Sequence, residues 1–357
     1  MNPVSARLLA QQLICRQFST PHDVVAWMGA MQAQEYRMMR WAVGMRTKKP
    51  SAAAFEKDYN AGRIVRGHLF RTTWQLVAGE DWCWMLELCR TNALRGLAGW
   101  MKSNGVHIPQ AEQDTIQQIF SDYLERHRIA LKPDFVAALA EKGITMDDHR
   151  LSYHIRLGEY SGLLCSGDLF PLKHSYALVK DKLPVQRLLP KEEALALLAR
   201  KYFRSHGPAT LEDFVWWSGL NTSECKIGIE AQQTELIQEH WKGLTFFRHR
   251  DSRTRGFRSG TVTLLPSYDE YLIGYKSRHI AVHPDHAHHA HNQRGIYWPV
   301  VLLDGEVIGN WSVPGGNPLV DVFHPEANLR DESLQAQIAL YHQFFDDDGC
   351  QKRNQKR

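Results

Sequence analysis

Apolar positions along residues 191–207, KEEALALLARKYFRSHG, fall at Ala194, Leu197, Leu198, Tyr202 and Phe203. That spacing predicts a helix, and Gly207-Pro208 stops it. Two further patterns repeat each other. One is STPHDVVAWMGAMQAQ at 19–34 and the other is ATLEDFVWWSGLNTSE at 209–224. Setting Asp23 on Asp213 places Thr20 on Thr210, Val25 on Val215, Trp27 on Trp217 and Gly29 on Gly219. Each copy opens with a threonine that can cap a helix and an acid three residues on. Each then reaches a glycine, which can adopt the left-handed conformation of a helix stop. A further helical pattern follows, so both copies predict a helix-turn-helix.

A looser copy covers 132–179. It predicts a helix from Pro133 to Gly143, a second through 152–157, then strand-like runs at 161–165 and 172–179. Two helices and a hairpin make a winged helix. Residues 234–250 read as a helix end followed by a strand that serves as a wing. From 260 onward the pattern changes. Residues 260–284 and 295–313 alternate or run apolar, with Asp304-Gly305 as a tight hairpin turn. A closing helix is expected at 332–345. The fold class expected is mostly α with β (α+β): three tandem winged helices, then a small C-terminal β-barrel-like module. The boundaries fall at 1–115, 116–190, 191–259 and 260–345, with a frayed polar tail at 346–357.

Composition narrows the function without naming it. The 357 residues are 43% hydrophobic, ample for several cores, and the net charge of +4 permits nucleic acid as a partner. The six cysteines, Cys15, Cys83, Cys89, Cys165, Cys225 and Cys350, include no C-x-x-C pair, which excludes a zinc ribbon and a thioredoxin motif. The first residues lack the apolar core of a signal peptide, and no stretch is apolar enough to span a bilayer. A cytoplasmic, nucleoid-associated protein is expected. Of the eleven tryptophans, several sit in pairs such as Trp82/Trp84 and Trp216/Trp217, and most of the eleven read as core.

Candidate chemistry concentrates in GAMQAQEYRMMRWAVGMR, 29–46. Gln32 and Gln34 are either a solvated helix start or two amides aimed at a reacting group. Positions i and i+2 do not share a helix face, so the second role requires a backbone that leaves the helix. Arg37 and Arg40 are i and i+3 on one face. Arg66 and Arg71 flank His68, Arg204 lies near the third helical copy, and Arg250 and Arg255 sit in the basic run FRHRDSRTRGFR at 247–258. As a set they read as phosphate contacts, and singly as ion pairs or a solvated face. Tyr36 is a candidate to stack on an extruded base. The segment HPDHAHHAHN at 283–292 has metal-like i, i+3 histidines, yet no H-E-x-x-H accompanies it, and it is read as a loop without metal.

Five patterns carry a family likeness: MQAQ at 31–34, HLFRTTWQLV at 68–77, GPATLEDFVWWSGL at 207–220, LLPSYDEYLIGY with Arg278 at 264–278, and Asp304, Gly305, Gly309 and Trp311 in the form DGxxxGxW. Together they resemble the AlkZ-like winged-helix DNA glycosylases, a bacterial family that removes alkylated bases and unhooks some interstrand crosslinks. The resemblance implies a catalytic Gln-x-Gln motif at Gln32 and Gln34. It also implies three winged helices with a C-terminal β-barrel and no cofactor. The partner implied is double-stranded DNA containing alkylated bases, bound by a monomer. Where the resemblance leads one to expect a histidine in the second pattern, Gln75 stands. The chemistry is coherent with neutral amides. An N7-alkylated purine is already cationic and leaves as a neutral base, so no acid is needed for the leaving group. No lysine lies between the glutamines and Lys48, so base excision without lyase chemistry is expected. The competing class is a winged-helix regulator that binds DNA without cutting it.

Overall fold

The computed structural model describes residues 2–171, 173–324 and 327–346. Leu172 and all of the expected tail but Asp346 lie outside the described residues. In chain order the first elements are α1 (Pro3–Ala10), α2 (Pro21–Met28), the short strand β1 (Ala30–Gln32), α3 (Met38–Gly44) and α4 (Ala52–Asn60). Thr20 caps α2 by accepting from the Asp23 amide, and Pro21 occupies the first helical position, where its missing N–H is not needed. Next come β2 (Ile64–His68), β3 (Trp74–Ala78), α5 (Trp82–Ser103), α6 (Gln110–His127), β4 (Ala130–Leu131), α7 (Lys132–Ala140), α8 (Asp148–Ser161), β5 (Leu164–Ser166), β6 (Ser175–Leu178) and α9 (Val179–Lys182). The chain continues with α10 (Lys191–Ser205), α11 (Leu211–Ser218), α12 (Thr222–Glu230), β7 (Leu236–Trp241), β8 (Leu244–His249), β9 (Val262–Leu265), α13 (Glu270–Ile273), α14 (Ala287–Ala290), β10 (Val300–Leu303), β11 (Glu306–Ser312), β12 (Leu319–Val322) and α15 (Asp331–Asp346).

Two compact units result. Among the described residues, one joins 2–55 to 192–346, and the other is Glu56–Lys191. The module expected at 1–115 is therefore shared between them. The physical reason is aromatic packing: Tyr341 and Phe344 of α15 meet Trp41 of α3 edge-on at 5.4 and 5.6 Å. Gly44 sits where any Cβ would collide with the Phe344 ring. In the second unit β4, β6 and β5 form an antiparallel sheet over a core of Phe120, Phe135, Leu139, Ile155 and Leu164. Its helix-helix-hairpin order, α7–α8–β5–β6, follows the sequence expectation closely.

Two local expectations change. Residues 234–250 make no helix end; β7 and β8 form a complete hairpin, turned at Lys242-Gly243 with φ of 48° and 75°. The C-terminal strands form an open sheet in the order β12-β11-β10-β9, every neighbour antiparallel. It is not a closed barrel. The stretch after β9 supplies no fifth strand, because YDEYLIGY turns into α13, capped by Asp269 through the Tyr271 amide. The predicted turn at Asp304-Gly305 is present, both residues at positive φ.

Candidate active site

The Gln-Ala-Gln segment belongs to the first unit. After α2 the chain does not enter a second helix. Gly29, at φ 82° and ψ −67°, turns it into β1, and a bend follows at Gln34. The glutamines thus lie on non-helical backbone, which overturns the helix-turn-helix expected of this copy and meets the condition for the two side chains to converge. Gln32 is 5% exposed and Gln34 is exposed. The next helix, α3, is capped late. The Glu35 carboxylate accepts from the amides of Arg37 and Met38, at 3.3 and 2.5 Å.

What fixes Gln32 is a buried carboxylate that sequence reasoning did not single out. Glu270, 1% exposed, accepts from the Gln32 backbone N–H at Oε1, 2.5 Å away. Its Oε2 lies 3.1 Å from the Trp217 indole nitrogen and 3.2 Å from His206 Nε2. A carboxylate oxygen accepts, so His206 carries its proton on Nε2 and its Nδ1 accepts from the Ser205 hydroxyl, 2.8 Å away. Burial holds His206 below the ordinary histidine range, with Glu270 acting the other way. Beside Glu270, Asp269 forms a two-pronged pair with Arg46 at 2.7 and 2.8 Å. Arg46 is fully buried, and its remaining three N–H groups reach Gln11 O, Gln11 Oε1 and Ala42 O. Arg46 is thus committed to the fold. The sequence signal for these residues was adjacent acids, Asp269-Glu270, inside an otherwise apolar run.

The predicted DNA contacts divide by burial. Arg37 and Arg40 do share a face, with their guanidinium groups 5.2 and 5.6 Å from the Phe345 ring; Arg40 is 6% exposed. Tyr36 is half-buried in the loop before α3. Arg204 lies 4.4 Å over Trp27. Arg250 is exposed and paired with Glu235 at 3.2 Å, and Arg255 is exposed.

In the second unit Arg66 and His68 are both 4% exposed. Arg66 stacks on Trp74 at 3.8 Å and reaches His174 Nδ1 at 3.1 Å. His68 meets Glu159 at 2.6 Å and also lies against Trp74. Glu159 was missed as well. It stands four residues beyond Ile155 and eight beyond Leu151, on the apolar face of α8, and such an acid signals a buried partner. Arg71 is half-buried in a turn where it and Thr72 both take φ 58°. Gln75, fully buried, ties that turn by donating to Phe70 O and Thr73 Oγ1. Its amide serves the loop where a histidine was expected.

The histidine-rich segment forms a 3₁₀ turn and α14. His289 stacks on Phe323 at 4.3 Å, and His286 lies 4.9 Å from the same ring. Among the described residues, no three histidine, cysteine or acidic side chains gather as metal ligands would, and no helix is long and apolar enough to cross a membrane.

Comparison with known proteins agrees with the sequence pattern. The family described as DNA glycosylase AlkZ-like matches residues 25–344. The chain is 22% identical over 343 residues to the interstrand DNA cross-link repair glycosylase of Streptomyces sahachiroi, covering 91% of this chain and 92% of that protein. It is also similar in fold to the solved Streptomyces sahachiroi DNA glycosylase AlkZ, with a TM-score of 0.74 at 20% identity over 95% of each chain.

Proposed function

Because the chain belongs to the AlkZ-like DNA glycosylase family, we propose that it excises cationic N-alkylated purines, such as N7-alkylguanine, from double-stranded DNA with Gln32 and Gln34 as its catalytic residues. The bond between the sugar's anomeric carbon and the base nitrogen breaks, and its electron pair leaves with the base, which becomes neutral. Water oxygen bonds to the anomeric carbon and its proton passes to solvent. Amide oxygens suit both remaining tasks, orienting the water and supporting the positively charged sugar, and they do so without titrating. The observation that carries this reading is the backbone around the motif. It leaves the helix at Gly29, is clamped at Gln32 by a buried carboxylate, and delivers Gln34 to the surface.

Three winged helices frame the proposal, with Arg37, Arg40, Arg66, His68, Arg71, Arg204, Arg250 and Arg255 toward DNA and Tyr36 toward the displaced base. For the buried members, Arg40, Arg66 and His68, phosphate contact requires that they exchange packing partners for DNA. Unhooking of interstrand crosslinks by a monomer is part of the same reading. The test is a duplex bearing N7-methylguanine, incubated with the protein and then treated with alkali to break abasic sites. Wild type is expected to yield breaks. Gln32→Ala and Gln34→Ala should each lower the single-turnover rate by roughly 10²-fold or more. DNA binding without breaks on any alkylated duplex would establish the regulator instead.

A further inference from the structure

A cavity of about 750 Å³ opens in the first unit at the residues immediately after Gln34. Glu35 and Arg37 form one wall; Tyr268, Tyr297, Trp298 and Trp311 supply aromatic surface on the others, beside His289. This volume lies in the range of roughly 300–1,000 Å³ typical of sites for small organic ligands and exceeds what a single flat base fills.

The walls are built rather than left over. Tyr268 takes φ 58°, a left-handed conformation uncommon for a bulky side chain, and its ring lies 6.0 Å from that of Tyr297. The Trp311 indole donates to Leu265 O at 2.6 Å, and Asn310 donates to both His289 O and Pro299 O, pinning the strand to the histidine segment. Trp298 is 37% exposed, a large aromatic face left at the mouth. Burial and the neighbouring imidazoles of His288 and His286 hold His289 below the ordinary histidine range, so it adds no positive charge near neutrality. Arg37 does carry charge, but its guanidinium lies against Phe345. The Arg278 guanidinium lies 5.1 Å over the Tyr297 ring, so the ring faces left for a flat cation are those of Trp298 and Tyr268, with Glu35 as the cavity's carboxylate, and ring faces attract positive charge.

We infer that this cavity receives the cationic alkylated purine together with its alkyl substituent, the aromatic faces discriminating the charged, damaged base from its neutral parent. The inference rests on the glycosylase reading above and adds to it the recognition site. Extrusion of the base into a pocket beside the catalytic loop is the geometry that chemistry on a stacked base requires.

The experiment compares wild type, Trp298→Phe and Trp298→Ala as full-length proteins under single-turnover conditions. The duplexes carry N7-methylguanine or the monoadduct of a nitrogen mustard at N7. Trp298 is partly exposed, so melting temperature and DNA affinity should stay near wild type for both variants. Trp298→Ala is expected to lose about tenfold or more on both lesions, with Trp298→Phe within about threefold of wild type because the ring face remains. Tyr297→Leu, measured alongside, should fall with Trp298→Ala. If wild type excises both lesions and the alanine and leucine variants match it, the cavity is not the base site and the inference falls alone. Equal losses in the alanine and phenylalanine variants overturn it too, since the ring face then does nothing. Wild type that excises neither lesion overturns the glycosylase reading, and the inference with it.

Discussion

The two copies of the helix-turn pattern begin alike and part at one glycine. In both, the leading threonine hydroxyl accepts from the amide of the acid three residues on, at 3.1 Å. After Gly219, at φ 66° and ψ 10°, the chain starts α12 almost at once, because Asn221 and Glu224 form a reciprocal capping box. The matching positions of the first copy are Met31 and Gln34. Methionine cannot accept the orphan amides of a helix start, so no helix nucleates there. The backbone runs extended through β1 until Glu35 caps α3. Removing one cap therefore converts a helix turn into several residues of open backbone, and that is where the candidate catalytic amides sit. The copies are also joined. Glu270 ties the Gln32 backbone N–H of the first to Trp217 of the second, and Lys201 of α10 donates to Ala26 O of α2.

The largest effect that would test this contrast comes from paired glutamate variants. Glu270→Gln should lower single-turnover excision about tenfold, because a loosened Gln32 amide misplaces the reacting geometry, with DNA affinity unchanged. Glu224→Gln, at the position matching Gln34, should leave excision within about twofold. Equal rates for both variants would show that the clamp on Gln32 has no bearing on the chemistry. Next in size are the two glycines. Gly29→Ala should destabilise the first unit by about 1–3 kcal/mol, since alanine is strained at its φ and ψ and its Cβ would lie 3.2 Å from Lys201 Cβ. Gly219→Ala, in the ordinary left-handed region, should cost about 1–2 kcal/mol. Chemical unfolding of both variants reads the difference, and reversed costs would contradict the assigned conformations.

Smallest is a pH effect. His206 is held neutral by burial, below the 6.5 of an unfolded chain. As pH falls through that value the unfolded state takes up a proton that the folded state resists. Its contribution to stability is therefore whole above 6.5 and is lost progressively as pH falls toward the depressed folded value. Urea unfolding at pH 7.5 and 5.5 should show a smaller loss on acidification for His206→Gln than for wild type. An identical slope would mean that His206 takes up its proton in the fold as readily as in the unfolded chain.

Legibility followed the range of the interactions. Helix starts at Thr20 and Thr210, the Asp304-Gly305 turn and the closing helix were readable because caps and turns involve residues a few positions apart. The pattern after Gly29 read as a second helix, and departure from helix at Gln32 was foreseeable only as the condition for the two glutamines to converge. The open sheet was not readable, and a barrel was expected in its place, because strand closure depends on where edges meet and α13 interrupts the run that looked like strand. Among the basic residues, type gave no hint of burial. Arg46 and Arg66 are packed inside while Arg250 and Arg255 stand outside, and only the partners distinguish them.

The amino-acid sequence by itself determined the repeat, its capping chemistry and the two glutamines that one copy has and the other lacks. These are local, set by side chains that satisfy backbone groups within a turn. Tertiary structure decided that Glu270, some 240 residues downstream, fixes the Gln32 backbone. It decided too that α15 closes over α3 and that aromatic residues from three segments line one cavity beside the motif. A buried carboxylate needs donors and a cavity needs walls, and neither can be counted until the chain has brought its distant parts together.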